Sequence, residues 1–204
     1  MDYLKYLAEE IHTVIMATTD EEGLPVTCAV DIMDYDDDGL YFLTAKGKEL
    51  YSRLTHSKYV ALTGIKGSDT LSCTAVSVRG KVMDIGGGLL DRLFEKNSYM
   101  EQIYPTEKSR KALTVFRIYE GCGQWFDLSC KPIRRASFTI GEGAAPKYGY
   151  EIGPCCTGCG QCRAVCPQDC IDFSSVPAII NQTNCLHCGN CMSICSKNAV
   201  TKRG

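Results

Sequence analysis

The chain has 204 residues, 45% of them hydrophobic, and a formal net charge of −2. That length allows one large or two small domains with a buried core. The near-balanced charge gives no reason to expect a nucleic acid partner, and no apolar stretch is long enough to span a membrane.

The chain opens with a short helix over residues 3–10. Strands follow at His12–Thr18, where Val14 and Met16 alternate with polar positions, and at Val26–Met33, where Val26, Cys28, Val30 and Ile32 share one face with the period of a half-buried strand. Between them Asp20–Pro25 is a turn by composition, and Asp34–Gly39 is a second turn. The four aspartates Asp34, Asp36, Asp37 and Asp38 lack the glutamate-terminated loop of a calcium site, so they are taken as a hairpin tip. Leu40–Thr44 is a short strand, and Lys48–His56 is a helix with Leu50 and Leu54 four apart. Tyr59–Ile65 and Thr74–Ile85 are strands, with Val76, Val78 and Val82 on one face of the latter. Gly86–Gly88 is a flexible turn, and Leu89–Tyr104 is a helical segment that Pro105 stops. Leu113–Tyr119, Gln124–Leu128 and Arg134–Ile140 complete a set of strands that suits a small barrel.

Gly141–Gly153 is glycine-rich and breaks this pattern, which predicts a linker over 141–153 between a domain at 1–140 and a second at 154–204. The second carries four basic side chains (Arg163, Lys197, Lys202, Arg203) and two acidic ones (Asp169, Asp172). Asp172–Phe173 and Pro177–Ile180 are expected as its short strands. A module this small buries too little core to fold alone, so bound metal is expected to supply much of its folding energy.

Eight of the 14 cysteines lie in that module in two copies of one spacing, 29 residues apart. Cys156, Cys159, Cys162 and Cys166 read C-x2-C-x2-C-x3-C-P, and Cys185, Cys188, Cys191 and Cys195 repeat it with Ser196 in place of the proline. This is the bacterial-type ferredoxin signature for two [4Fe–4S] clusters. Three closely spaced thiolates wrap three corners of a cube, and the fourth points away to the other cube. The first cluster is therefore expected on Cys156, Cys159, Cys162 and Cys195, the second on Cys185, Cys188, Cys191 and Cys166. Gly158, Gly160 and Gly189 let the backbone turn tightly, with amides near cluster sulfurs. Zinc fits less well, because a tetrahedral site uses two separated pairs and not three cysteines in seven residues. A disulfide framework needs an oxidising compartment, and the opening MDYLKYLAEE has no apolar run of an export signal. The expectation is cytoplasmic. Of the remaining cysteines, Cys155 adjoins a ligand, and Cys170 takes the place of Ala199 in the repeat, a packing position. His187 between two ligands is read as a surface-loop residue, and His12 and His56 show no partner pattern.

The N-terminal region resembles the pyridoxamine 5′-phosphate oxidase-like family over roughly residues 1–140. The resemblance is carried by ATTDEEGLPVTCAV (Ala17–Val30), DGLYFLTAKGKELYSRL (Asp38–Leu54), YVALTG (Tyr59–Gly64), SVRGKV (Ser77–Val82) and VFRIYEGCGQWFDLS (Val115–Ser129). It implies an FMN-binding split β-barrel, hence a mostly-β fold followed by a small two-cluster ferredoxin-like domain. It also implies a homodimer with FMN at the subunit interface. On that basis Thr27, Cys28, Ala29 and Val30 line the flavin ring with backbone groups. Thr44 and Lys48, with Lys46 close by, hold the phosphate, and Trp125 stacks near the flavin or anchors the core. Family members often carry an arginine in the ring-lining strand, and Val26–Asp31 has no basic residue, which speaks against vitamin oxidation itself.

Flavin handles electron pairs or single electrons, and the clusters single electrons only. The combination predicts an FMN-dependent oxidoreductase passing electrons between FMN and two [4Fe–4S] clusters. With no recognisable nicotinamide-binding fold, its donor or acceptor is a soluble redox protein or a small molecule that docks directly. The alternatives are an electron carrier whose barrel is only a dimerising scaffold, and a redox or flavin sensor without turnover.

Overall fold

A computed structural model describes residues 1–203, and the chain forms two compact units. The first is built from Met1–Lys66, Ala75–Trp125 and Ser137–Ala145. The second is built from Gly67–Thr74, Phe126–Ala136 and Pro146–Gly204.

The first unit is a sheet that curls into a split barrel. Its strands are β1 (Thr13–Thr19), β2 (Pro25–Asp31), β3 (Asp34–Asp36), β4 (Gly39–Ala45), β5 (Tyr59–Lys66), β6 (Thr74–Gly86), β7 (Leu113–Asp127) and β8 (Arg134–Ile140). The hydrogen-bonded order is β2-β1-β5-β6-β7-β4-β3, with β8 on β7. β2 and β4 approach each other without pairing, and this is the split. The alternation read from the sequence sets the inside: Val14, Met16, Val60, Val76 and Val78 face a core with Leu40, Phe42, Phe116 and Ile118. Phe42 and Phe116 stack with ring centroids 5.7 Å apart. Helix Glu49–Ser57 buries Leu50 and Leu54 and packs on β1, β4 and β5. These elements bear out a mostly-β barrel, and several boundaries expected from sequence move for identifiable reasons.

Asp34–Asp36 is a strand paired with β4, so the expected turn shrinks to its tip. Asp34 is the cause: it is buried, with Arg92 Nε at 2.5 Å from Oδ2 and Lys96 Nζ at 2.5 Å from Oδ1. The segment expected to be helical over Leu89–Tyr104 breaks into Leu90–Lys96 and Met100–Ile103. At the break the buried Asn97 Nδ2 donates to the carbonyls of Leu93 at 2.8 Å and Met33 at 2.9 Å, which pins the chain out of helical geometry. The two strands expected at Leu113–Tyr119 and Gln124–Leu128 are one, β7, running through Gly121. A Cβ on Gly121 would lie 2.3 Å from the Arg79 carbonyl, so only glycine lets β6 and β7 come this close.

The second unit holds two small antiparallel pairs. β9 (Tyr150–Ile152), inside the glycine-rich stretch, pairs with β12 (Val200–Lys202), and β10 (Ile171–Asp172) pairs with β11 (Ile179–Ile180). β10 is as short as expected but begins one residue earlier, and β11 is shorter than the segment expected there. No helix among the described residues is long and apolar enough to cross a membrane.

Candidate functional site

The cysteine repeat is also a repeat of backbone shape. Gly158 and its counterpart His187 have φ of 70° and 57°, Gly160 and Gly189 have 78° and 84°, and Asp169 and Asn198 have 45° and 51°. Glycine meets this demand without strain at three of the six positions. Each loop runs into a short helix, Gln161–Ala164 or Asn190–Ile194, and these two helices pack together. The left-handed residues point amides at sulfur: Gly158 N–H donates to Cys156 Sγ and His187 N–H to Cys185 Sγ, both at 3.4 Å. Ala199 N–H donates to Cys195 Sγ at 3.3 Å.

Two cavities lie between the loops. One is lined by Cys156, Cys159, Cys162 and Cys195. The other is lined by Cys166, Cys185, Cys188 and Cys191, with Cys170 beside them. Three thiols of each quartet come from one repeat and the fourth from the other. Ile152, Phe173, Ala199 and Val200 wall the first cavity, and Tyr150, Ile171 and Ile180 wall the second. Among the described residues no group of three or more His, Cys, Asp or Glu side chains is placed to hold a metal ion. Burial pushes the thiols of Cys162 and Cys191 above the ordinary cysteine value. The Ala199 N–H, with neighbouring amides, draws Cys195 below it. A thiol held up by burial gives its proton away when a metal takes over the charge. Cys170 is also raised by burial and by the Cys166 thiol, with Sγ 3.5 Å from Cys166 Sγ. It packs into the unit as expected and is also part of the second cavity's wall.

The segment Phe126–Ala136, which runs from the end of β7 to the start of β8, contacts residues around the second cavity. The buried Ile133 donates its N–H to Gln168 Oε1 at 3.0 Å and accepts from Asn184 Nδ2 at 2.7 Å. Arg135 N–H donates to the Thr183 carbonyl at 2.7 Å, and its guanidinium Nη1 donates to the Cys185 carbonyl at 3.3 Å. Its guanidinium carbon lies 5.3 Å from the Phe126 ring centroid. Burial lowers Arg135 from the usual guanidinium value. Burial, then the charge of Arg135, lowers His187. None of these contacts has a local sequence signature, and sequence reasoning missed them.

In the barrel, β2 is the end strand of the sheet, so one edge of its backbone has no strand partner. Thr27 and Ala29 face outward and are exposed; Cys28 and Val30 turn to the core. Thr44, near the end of β4, is buried, and its Oγ1 has no hydrogen-bond partner among the described residues. The following turn is tied by Lys46 N–H to the Ala112 carbonyl at 2.8 Å and by Lys48 N–H to the Ala45 carbonyl at 3.0 Å. Lys46 and Lys48 are exposed and make no ion pair among the described residues, and Lys48 is the residue before helix Glu49–Ser57. An orphaned buried hydroxyl, two cations and a helix N-terminus suit a phosphate. An open backbone edge suits the polar rim of a flavin ring. Trp125 packs against the barrel core, 6.1 Å from the Tyr3 ring, with its buried Nε1–H lacking a partner among the described residues. His12, for which the sequence offered no partner, lies 3.1 Å from Tyr99 Oη, which donates to Asp31 Oδ2 at 2.6 Å.

The sequence profile of the family pyridoxamine 5′-phosphate oxidase matches residues 2–119. No curated protein matches the chain. Among solved structures, a NimC/NimA family protein from Clostridium acetobutylicum is 13% identical, with a TM-score of 0.56, covering 69% of this chain and 93% of that one. A protein from the same organism, related to general stress protein 26 of B. subtilis (pyridoxinephosphate oxidase family), is 17% identical with a TM-score of 0.52, covering 67% and 91%. A heme binding protein from Mycobacterium smegmatis is 15% identical with a TM-score of 0.52, covering 67% and 56%. At these identities the likeness is one of fold.

Proposed function

The chain belongs to the pyridoxamine 5′-phosphate oxidase family, and from that premise we propose that it passes electrons between FMN in the barrel and two [4Fe–4S] clusters in the cysteine-rich unit. Family membership is consistent with an FMN-dependent oxidoreductase. The observation that carries the iron–sulfur half is the crossed composition of the two thiol quartets, Cys156, Cys159, Cys162 with Cys195, and Cys185, Cys188, Cys191 with Cys166. That crossing is what two cubes sharing two repeats require. The flavin half is supported by the Thr44 hydroxyl, the exposed Lys46 and Lys48, and the open edge of β2.

When bound, FMN supplies exchange between electron pairs and single electrons, and the cubes take electrons one at a time. The chain's residues have separate tasks in this scheme. Thr44, Lys46 and Lys48 hold the phosphate, and the β2 backbone orients the ring. The eight cysteines hold the clusters, while the apolar walls of Ile152, Phe173, Ile171 and Ile180 keep water from them. The reading includes a homodimer. The outer face of β2, β1 and β5 supports it, since Thr27, Ala29, Ile15, Ala17, Ala61 and Thr63 meet there in register without a charge. The site of action is cytoplasmic, and the partner is a soluble redox protein or a small electron donor or acceptor. β2 lacks the arginine common in the family, so vitamin B6 oxidation is not part of the proposal.

The test is anaerobic purification with iron, sulfide and flavin quantified. The expected result is about eight irons per chain, four in each cube, and about one FMN. Near-zero iron with stoichiometric zinc overturns the cluster assignment. Full iron without flavin favours the carrier reading, in which the barrel is only a scaffold.

A further inference from the structure

The two cysteine cavities are built on one repeat, yet their surroundings differ. Gly158 beside the first is His187 beside the second, and Ala199 is replaced by Cys170. The largest difference comes from outside the repeat. Arg135 sits on the second side with its guanidinium on the carbonyl of the ligand Cys185. It is held there by its own N–H on Thr183 and by the Phe126 ring. Its position is fixed by backbone on both sides, because Ile133, two residues before it, is clamped by Gln168 and Asn184. Lys197 lines the first cavity, but it is exposed, where water and salt screen its charge. Arg135 is partly buried.

We propose that Arg135 is a positioning residue that sets the reduction potential of the second cluster independently of the first. The inference rests on the two-cluster reading above. Reduction adds one negative charge to a cube. A cation fixed in a medium of low dielectric beside that cube favours the reduced form, and its donation to the Cys185 carbonyl holds the ligand loop in place. Arg135 stands behind the wall of the second cavity and reaches it through the Cys185 carbonyl, whereas the cation in the first cavity's wall, Lys197, is exposed. Arg135 thereby biases which of the two centres holds an electron that both can take.

The experiment is an anaerobic redox titration of the full chain, followed by electron paramagnetic resonance, on the unaltered protein, Arg135→Gln and Arg135→Lys. Arg135→Gln is expected to lower the second midpoint and leave the first where it was. The equilibrium that divides an electron between the centres should shift about tenfold, or ~59 mV for a one-electron couple. Arg135→Lys keeps the charge and is expected to restore most of that shift. Should Arg135→Gln load fewer irons than the unaltered chain, Arg135→Lys alone decides: a second midpoint displaced by the full tenfold despite the retained charge overturns the proposal. With about eight irons bound, an unmoved second midpoint in Arg135→Gln, or equal movement of both, overturns it and leaves the cluster reading intact. Absence of iron in the unaltered protein removes the cluster reading itself.

Discussion

Thr44→Val separates what Thr44 does for the fold from what it does for a ligand, because the two effects have opposite signs. The side chain is 3% exposed and its hydroxyl has no partner among the described residues. Valine has the same branching and nearly the same volume, so packing around β4 and Phe42 is retained. A buried hydroxyl left unpaired costs about 1–3 kcal/mol. The variant barrel without ligand is therefore expected to be more stable by about 1 kcal/mol, which for a chain of this size raises Tm by about 2–4 °C. A hydrogen bond from that hydroxyl to a charged phosphate contributes about 1.5–3 kcal/mol. Losing it should weaken FMN binding by roughly 10- to 150-fold. Equilibrium titration of the flavin-free protein with FMN, followed by flavin fluorescence, gives the affinity, and calorimetric melting without flavin gives the stability. Weaker binding with a higher Tm supports the phosphate role. Unchanged FMN affinity refutes it, whatever the melting temperature does.

Three further outcomes test the neighbouring claims. Lys48→Ala should weaken FMN retention about fivefold, the ~1 kcal/mol of an exposed ionic contact, and the difference should fade in high salt; equal retention in dialysis removes Lys48 from the site. Cys195→Ser should abolish the first cluster's resonance signal and Cys166→Ser the second's, each with iron falling from about eight toward four per chain; equal loss of both signals in each variant would leave the crossed ligation without support. Burial opposes the charged form of Asp34, but hydrogen bonds from Lys96, the Tyr35 N–H and Arg92 outweigh it, so its carboxyl titrates below the ordinary value. Its stabilising contribution is complete above the unfolded-state value of 3.8 and is lost as pH falls through the lower folded-state value. Asp34→Asn should cost about 2 kcal/mol at neutral pH, less than a fully buried pair because Arg92 and Lys96 reach water, and the gap should close in acid; a gap independent of pH contradicts the assignment.

What was legible in the sequence was whatever a local pattern encodes. The alternation of Val14 and Met16 gave β1 its inner face, and Leu50 and Leu54 gave a helix its buried stripe. The cysteine spacing marked both quartets, whose members line two cavities. Misreadings arose where a distant partner decides. Asp34 reads as a turn residue until Arg92 and Lys96 are opposite it. Asn97 reads as helix interior until the Met33 carbonyl claims its amide. Gly121 reads as a strand break when it is the permit for close strand approach. Arg135 and Ile133 carried no signal at all, because their partners lie 35 to 51 residues later in the chain.

The second unit draws on Gly67–Thr74 and Phe126–Ala136 as well as the C-terminal region. During synthesis these two stretches are made before any cysteine of the quartets. Gln168 and Asn184, which hold the Ile133 backbone, come later still, so the second unit closes only once the C-terminal region is made. If that region closes around clusters as proposed, a chain grown without iron is expected to keep its sheet and to be cut by protease near Ile133.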